Sequence, residues 1–278
     1  MSDAELQAIL ARAQQHKQSK TQNKNIEASS DPLHDLIENT VTKSNALSRA
    51  YYRFGLVEKR CMEALISELH PQRTDNQLQG VCLDAAAYAN VYKVSQKTAY
   101  RDIGNAVEAL AQRSITTGRS KGKSGKVIFT LMLKAEYKAD EGKIECTFNP
   151  LIVPHLIGMR EKFSSYPLKK AVEFSSSYTW RFYEILVSWA QAKSQTQGRF
   201  AGWIKNQSVD DLRGMLGVPD SYSWGKFDQK VLRVAMKELR EKAQIAVFVE
   251  RVKTSRKITH LNISFIEDEQ IPMKLDAK

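Results

Sequence analysis

The sequence predicts an α+β chain of two tandem winged-helix domains, each a helix-turn-helix with a β-hairpin wing, behind a flexible N-terminal arm. Three observations carry that prediction. The order helix, strand, helix–turn–helix, hairpin occurs twice along the 278 residues. Hydrophobic residues make up 42% of the chain, enough for two cores of moderate size. The formal charge of +11 is shared evenly: residues 45–168 carry 18 basic and 12 acidic side chains, residues 169–278 carry 19 and 13, and residues 1–44 carry 5 and 6.

Caps, periods and turn residues give the elements in order. Leu6, Ile9, Leu10 and Ala13 share one side of a short helix beginning near Asp3. The polar run "QQHKQSKTQNKNIEASSDP" after it has no hydrophobic period and cannot bury enough apolar surface to order itself, so residues 1–40 are expected to be a flexible arm. Structure is expected from about Val41. Val57, Cys61, Leu65 and Leu69 recur at helical spacing, and Pro71 ends that helix. "GVCLD" reads as a short strand, and Asp84 caps a helix through Tyr92. "KVS" makes a tight turn, and Ser95 caps a second helix from Gln96 to about Ala111. "SITTGRSKGKSGKVIFTLML" and "GKIECTFN" are β-rich runs broken by Gly- and Lys-rich turns.

The second half repeats the order. Ser177 caps a helix from Tyr178 to about Ala192, and a strand lies around Trp203 and Ile204. Ser208 caps a short helix closed by Gly217 and Pro219. A long helix follows from Ser223, and "IAVFVERVKTSRKITHLNISFI" gives two strands around the basic turn "KTSRK". "FSSYPLKKAVEFSSS", around Pro167, reads as an interdomain linker. The expected domains are residues 41–166 and 167–268, with a tail at 269–278.

The basic surplus favours a polyanionic partner, either nucleic acid or an anionic membrane surface. No apolar run approaches the ~20 residues of a spanning helix. "MSDAELQAIL" starts acidic and has no basic segment before an apolar one, so no signal peptide is read. Cys61, Cys82 and Cys146 are widely spaced with no CxxC, which argues against a zinc or disulfide framework and for a reduced, cytosolic protein.

The long helix of the second half carries the sharpest signal. With Phe227 at zero and ~100° per residue, Lys226, Lys230, Arg233, Lys237 and Arg240 fall between ~220° and ~300°. Phe227, Val231, Leu232, Val234, Ala235 and Leu239 take the opposite, broad side, and Asp228 and Glu238 lie off the basic arc. A solvated surface helix interleaves its cations with acids. A run of five cations on the second helix of a helix-turn-helix, with a basic hairpin behind it, fits a phosphate backbone, and Lys230 and Arg233 are placed to reach guanine edges as well. In the wing that follows, Lys253, Arg256 and Lys257 continue the charge, with Arg251 and Thr254 beside them.

The first half offers a weaker version. Ala99, Ile103, Ala106, Val107 and Leu110 form a core face, while Lys97, Thr98, Arg101 and Asn105 face away. That polar face suits a recognition helix and equally suits solvent. The turn "RSKGKSGK" is read as its wing, with Arg119, Lys121, Lys123 and Lys126 placed to follow a groove or a backbone. The alternative for that turn is a basic loop with no partner.

Catalytic signatures are absent from the sequence. His16, His34, His70, His155 and His260 are isolated and form no His-x-His pair, and no GxxxxGK[ST] loop is present. Asp210 and Asp211 follow the cap Ser208, where acids complement the helix dipole. No enzymatic activity, cofactor or metal is expected.

"TFNPLIVPHLIG", then "KFSSYPL", then "YTWRFYEIL" resembles the central region of theta-type plasmid replication initiators, the F-plasmid type with tandem winged-helix domains. "LSRAYYRFGLVEKRCMEALI" and "RKITHLNISF" extend the resemblance over about residues 45–266. The resemblance implies a monomer that binds direct repeats (iterons) of origin DNA, one winged helix on each part of a repeat. It implies melting of an adjacent AT-rich element and recruitment of the host initiator and replicative helicase. A homodimer, joined through the first domain, would be inactive for initiation and would act in autorepression and copy control, in the bacterial cytoplasm on plasmid or nucleoid DNA. By position the second-domain helix matches the main iteron-reading helix, and Gln96, Lys97 and Arg101 match that of the first domain. The strand "VCLDAA" and the helix from Val57 to Leu69 are expected to offer the dimer surface. The rival readings are a winged-helix transcriptional repressor and a DNA nickase or recombinase.

Overall fold

The computed structural model describes residues 35–69, 80–117, 127–157, 162–191 and 198–268. The expected N-terminal helix, nearly all of the arm and the C-terminal tail lie outside the described residues. A 3-10 turn, Leu36–Glu38, already buries Leu36, and strand β1 (Thr40–Ser44) follows. Ser44 Oγ then accepts the Leu47 N–H and starts the short helix α1 (Asn45–Ser48).

Helix α2 (Leu56–Ser67), strand β2 (Gly80–Asp84), helix α3 (Ala85–Tyr92) and helix α4 (Gln96–Gln112) form the first helix-turn-helix unit. Local chemistry sets its corners. Asp84 Oδ1 accepts the Ala87 N–H at 2.7 Å, Lys93 takes the left-handed conformation that ends α3, and Ser95 Oγ accepts the Thr98 N–H at 3.2 Å. Four strands follow: β3 (Ser114–Thr117), β4 (Val127–Thr130), β5 (Met132–Lys138) and β6 (Lys143–Phe148). They form two separate assemblies, an antiparallel ribbon β3–β4 and a three-stranded sheet of order β2-β6-β5.

The segment read as an interdomain linker is strand β7 (Phe163–Pro167), which pairs antiparallel with β1 from Thr40↔Pro167 to Ser44↔Phe163. Its Ser-Ser-Tyr run has strand alternation, and Tyr166 turns inward to 4% exposure, so the chain gains a ladder and a buried aromatic by ordering there. Leu168, Ala171 and Phe174 continue into the core.

Helix α5 (Ser177–Trp189) is capped by Ser176, one residue before the expected Ser177. Strand β8 (Ala201–Ser208), helix α6 (Val209–Leu216), a long helix α7 (224–243), and strands β9 (Ile245–Thr254) and β10 (Lys257–Glu267) complete the second unit. Its sheet has the order β8-β10-β9. The equivalences are therefore α2 with α5, β2 with β8, α3 with α6, α4 with α7, and the hairpin β5–β6 with β9–β10. Both halves share one continuous core that includes Leu65, Ile103, Phe148, Trp180, Leu212, Phe227 and Phe265. Helix α2, expected to offer a dimer surface, is itself core here: every residue from Cys61 to Ile66 is buried. Among the described residues no helix is long and apolar enough to cross a membrane.

Candidate nucleic-acid interface

The second helix-turn-helix is closed by its turn. Gly217 caps α6 at φ +69°, and a Cβ there would stand 2.7 Å from the Tyr52 carbonyl oxygen, so glycine is required twice over. The Arg213 guanidinium donates to the carbonyls of Pro219 and Tyr222, at 3.2 and 2.6 Å, and staples the turn. Ser223 Oγ accepts the Lys226 N–H at 3.3 Å and starts α7.

Helix α7 is not uniform. It is α-helical over Trp224–Phe227, opens to a π turn over Asp228–Leu232 and returns to α-helix over Arg233–Ala243. A π turn holds about one extra residue and rotates everything beyond it by up to ~100° relative to a uniform helix. Val234, which the sequence reading places on the core side, is 43% exposed. Lys226, Lys230, Arg233, Lys237 and Arg240 are all exposed.

The basic face is not clear of acids, as uniform pitch has it. Asp228 is buried within the π turn, accepts from Arg233 Nε at 2.9 Å and receives Arg251 Nη2 of β9 at 2.9 Å. An i,i+5 pair is out of reach on an α-helix but in register on a π turn, which is why spacing alone misses it. Asp228 thus holds the recognition helix to its wing while two guanidiniums stay half open to solvent. Lys237 pairs loosely with Glu241 at 3.8 Å, and Lys226 Nζ sits 4.1 Å from the Tyr222 ring centroid. Lys230 and Arg240 form no ion pair among the described residues. On the wing, the β9–β10 turn places Ser255 at φ +57° and leaves Lys253, Arg256 and Lys257 exposed. Donors without acceptors, spread along one helix and its wing, suit phosphate oxygens and guanine edges.

The first helix-turn-helix presents Gln96 and Lys97 exposed at the start of α4. Arg101 Nη2 reaches Asp102 Oδ1 at 3.2 Å and remains 67% exposed at its side chain. Here the wing needs correction. By topology the counterpart of the second wing is β5–β6, whose tip, residues 139–142, carries Asp140 and Glu141. Gly142 at φ +62° lets that tip lie on the Tyr100 ring, where a Cβ would collide. Lys138 pairs with Glu145 at 2.7 Å, and Lys143 with Glu141. The basic turn instead joins the ribbon β3–β4, a distinct element, and Arg119, Lys121, Lys123 and Lys126 lie outside the described residues. Both runs sit in one β-rich stretch, so the sequence does not say which hairpin closes the sheet. The described histidines are engaged locally: His155 Nδ1 is 2.8 Å from Ser44 Oγ, and His260 Nδ1 is 3.0 Å from Thr259 Oγ1.

Two family models match in tandem. "Initiator Replication protein, WH1" covers residues 40–187, and "Initiator Rep protein, WH2" covers residues 208–265. The chain belongs to the Initiator Replication protein family. Among curated relatives, an uncharacterized 27.6 kDa protein of Escherichia coli is 22% identical over 214 residues, 74% of this chain and 86% of the relative. The PI protein of Escherichia coli is 22% identical over 262 residues, 81% and 82% of the two chains. A solved structure of the Pi initiator protein in complex with iteron DNA shares the fold at TM-score 0.66 and 21% identity, covering 84% of this chain and 99% of that one.

The residues of the initiator motif "YTWRFYE" stay away from this surface. Arg181 and Glu184 lie on α5, 2% and 1% exposed, in a buried cluster with Lys43 of β1 and Lys59 and Glu63 of α2. Glu184 Oε1 receives Lys43 Nζ at 2.5 Å and Lys59 Nζ at 2.8 Å, while Glu184 Oε2 receives Arg181 Nη1 at 2.6 Å. Glu63 Oε1 receives both lysines at 2.6 Å, and the Tyr166 hydroxyl lies 3.0 Å from each carboxylate. Burial works against the Glu184 carboxylate, but Lys43, Lys59 and Arg181 outweigh it and hold the group well below the usual range. Burial pulls both lysines down. The two carboxylates overcome this at Lys43, which stands above its ordinary value, but not at Lys59, which falls to about 8. Three cations face two carboxylates, and Lys59 is the one for which burial outweighs them.

Proposed function

We propose that this chain is a plasmid replication initiator that binds directly repeated duplex DNA, the iterons of an origin, as a monomer, with α7 as the principal reader and α4 as the second. The observation that carries the reading is the exposed cationic row Lys226, Lys230, Arg233, Lys237 and Arg240, continued by Lys253, Arg256 and Lys257 on the adjacent wing. Membership of the initiator family supports it, as does the shared fold with the Pi initiator protein, whose solved complex contains iteron DNA. Lys and Arg on α7 neutralise phosphates of the backbones that border the major groove, Arg233 is oriented by Asp228 toward base edges, and Gln96, Lys97 and Arg101 of α4 take the neighbouring part of the repeat.

In this reading the protein performs no covalent chemistry. It helps to open an adjacent AT-rich element and recruits the host initiator and replicative helicase, in the bacterial cytoplasm on plasmid or nucleoid DNA. A homodimeric form serves as autorepressor and copy-number regulator. The test is a mobility-shift titration with duplexes from the DNA flanking the coding region. Direct repeats bound as discrete monomer steps support the proposal. Preference for a lone inverted repeat would favour a transcriptional repressor. Nicked or relaxed product from supercoiled origin DNA with a divalent metal would replace it with a nickase or recombinase.

A further inference from the structure

The two helix-turn-helix units are joined by more than a shared core. Residues 48–53, from the last residue of α1 toward α2, touch both. On one side Tyr51 forms an antiparallel bridge with Thr116 of β3, with hydrogen bonds of 2.8 and 3.0 Å in the two directions. Strand β3 begins two residues after α4 ends, so this bridge fixes the end of the first recognition helix. On the other side the Tyr51 hydroxyl donates to Asp211 Oδ1 of α6 at 2.8 Å, and its ring lies where a Cβ on Gly214 would come within 2.6 Å. The Tyr52 carbonyl and Arg53 sit against Gly217, the residue that turns the chain from α6 toward α7. Arg181 closes the same seam from beneath, donating to the carbonyls of Ser48, Ala50 and Met215 at 3.1, 3.0 and 3.0 Å.

We propose that Tyr51, seated between β3 and Gly214 of α6, is a positioning residue that fixes the register between the two recognition helices and so the spacing of the two half-sites that the protein accepts. This rests on the DNA-binding reading above. The path α4, β3, Tyr51, α6, α7 consists of ladder bonds, one side-chain hydrogen bond and a glycine contact with no room to slide. Two readers on a loose tether would tolerate a changed spacing. Two readers locked through Tyr51 would not, because the gain from linking modules vanishes when geometry forbids simultaneous engagement.

The test introduces a wedge away from every DNA-facing side chain. Gly214→Ala sets a methyl against the Tyr51 ring and, as a helix-interior Gly→Ala change, favours the helix itself. Affinity is measured for the footprinted direct repeat, for the same repeat with one or two base pairs inserted between the two protected segments, and for a single segment. Gly214→Ala is expected to lose about 10- to 100-fold on the native repeat, part of the ~10²–10⁴ advantage of two linked modules, while single-segment affinity stays unchanged and the penalty for insertion shrinks. Adding Tyr51→Ala to the wedge removes the collision and restores part of the native affinity. Should Gly214→Ala not fold, Tyr51→Phe, which removes the bond to Asp211, is expected to narrow the same insertion penalty.

An insertion penalty unchanged in folded Gly214→Ala, or in Tyr51→Phe where the wedge does not fold, overturns the positioning role and leaves the DNA-binding reading intact. Equal losses on native repeat, inserted repeats and single segment would show a merely structural residue. A wild-type protein that protects no repeat would overturn both readings together.

Discussion

Replacing Glu184 by Gln removes the acceptor on which the interior of the molecule is organised. Its two oxygens receive Lys43, Lys59 and Arg181 at 2.5–2.8 Å, and all four side chains are 3% exposed or less. Glutamine keeps the shape but lacks the charge, leaving three buried cations to share Glu63. Breaking a buried pair from one side costs about 3–5 kcal/mol, because the partner's charge stays buried and uncompensated. For a chain of this size each kcal/mol shifts the melting point by roughly 2–4 °C, so Glu184→Gln is expected to melt about 6–20 °C below the parent. Lys59→Met provides the internal contrast. It leaves Lys43 and Arg181 against Glu63 and Glu184, a balanced set, and the Lys59 Nζ that it replaces lies 5.7 and 5.9 Å from the Tyr52 and Trp180 ring centroids, where an apolar end can pack. It should therefore cost much less than Glu184→Gln. Differential scanning calorimetry of both variants decides the matter. A Glu184→Gln loss under about 1 kcal/mol, or Lys59→Met as damaging as Glu184→Gln, would refute the account of the cluster.

Other outcomes follow from the same geometry. The folded chain holds Lys59 at a pKa of about 8 against an ordinary 10.5, so through Lys59 the unfolded chain binds more protons from about pH 8, and stability rises with pH there by less than about 1.4 kcal/mol per unit. From about pH 9 the rise is opposed, because burial holds the Cys61 and Cys146 thiols, and from about pH 10 the Tyr52 and Tyr166 hydroxyls, protonated in the folded state alone. Urea titrations from pH 7 to 9 should show the rise in the parent and lose it in Lys59→Met. Gly217→Ala combines a left-handed backbone with a collision at the Tyr52 carbonyl and should cost more than about 1 kcal/mol in the same titrations; a neutral result would contradict the turn geometry. Asp228→Asn releases Arg233 and Arg251 from their shared carboxylate and adds one positive charge to the face. Affinity for random duplex should rise while the preference for the repeat falls; if the preference holds, Asp228 does not orient Arg233.

Legibility in the sequence tracked the range of the forces. The caps Asp84, Ser95 and Ser208 were readable because each acts on an N–H three residues away. The strands around "KTSRK" were readable from alternation and one turn. The π turn was not, since its i,i+5 pair and its link to Arg251 on β9 exist only once the helix packs against the wing. Strand β7 looked like a linker because its partner, β1, lies more than a hundred residues earlier. The buried cluster draws five charges from β1, α2 and α5, so each one reads singly as an ordinary surface residue. The motif residues Arg181 and Glu184 carried the family resemblance, yet both are interior, bound to each other and to the backbone of residues 48, 50 and 215.

Hydroxyl-radical and methylation-interference footprinting of the DNA flanking the coding region, run from ~50 to ~200 mM salt, tests the central claim most directly. The account predicts two adjacent major-groove contacts in each direct repeat, with the stronger lost in Arg233→Ala. Affinity should fall by about 10³–10⁵ across the salt range, as for ~6–10 phosphate contacts. Protection that is absent, indifferent to salt, or unchanged when the cations of α7 are removed would contradict it.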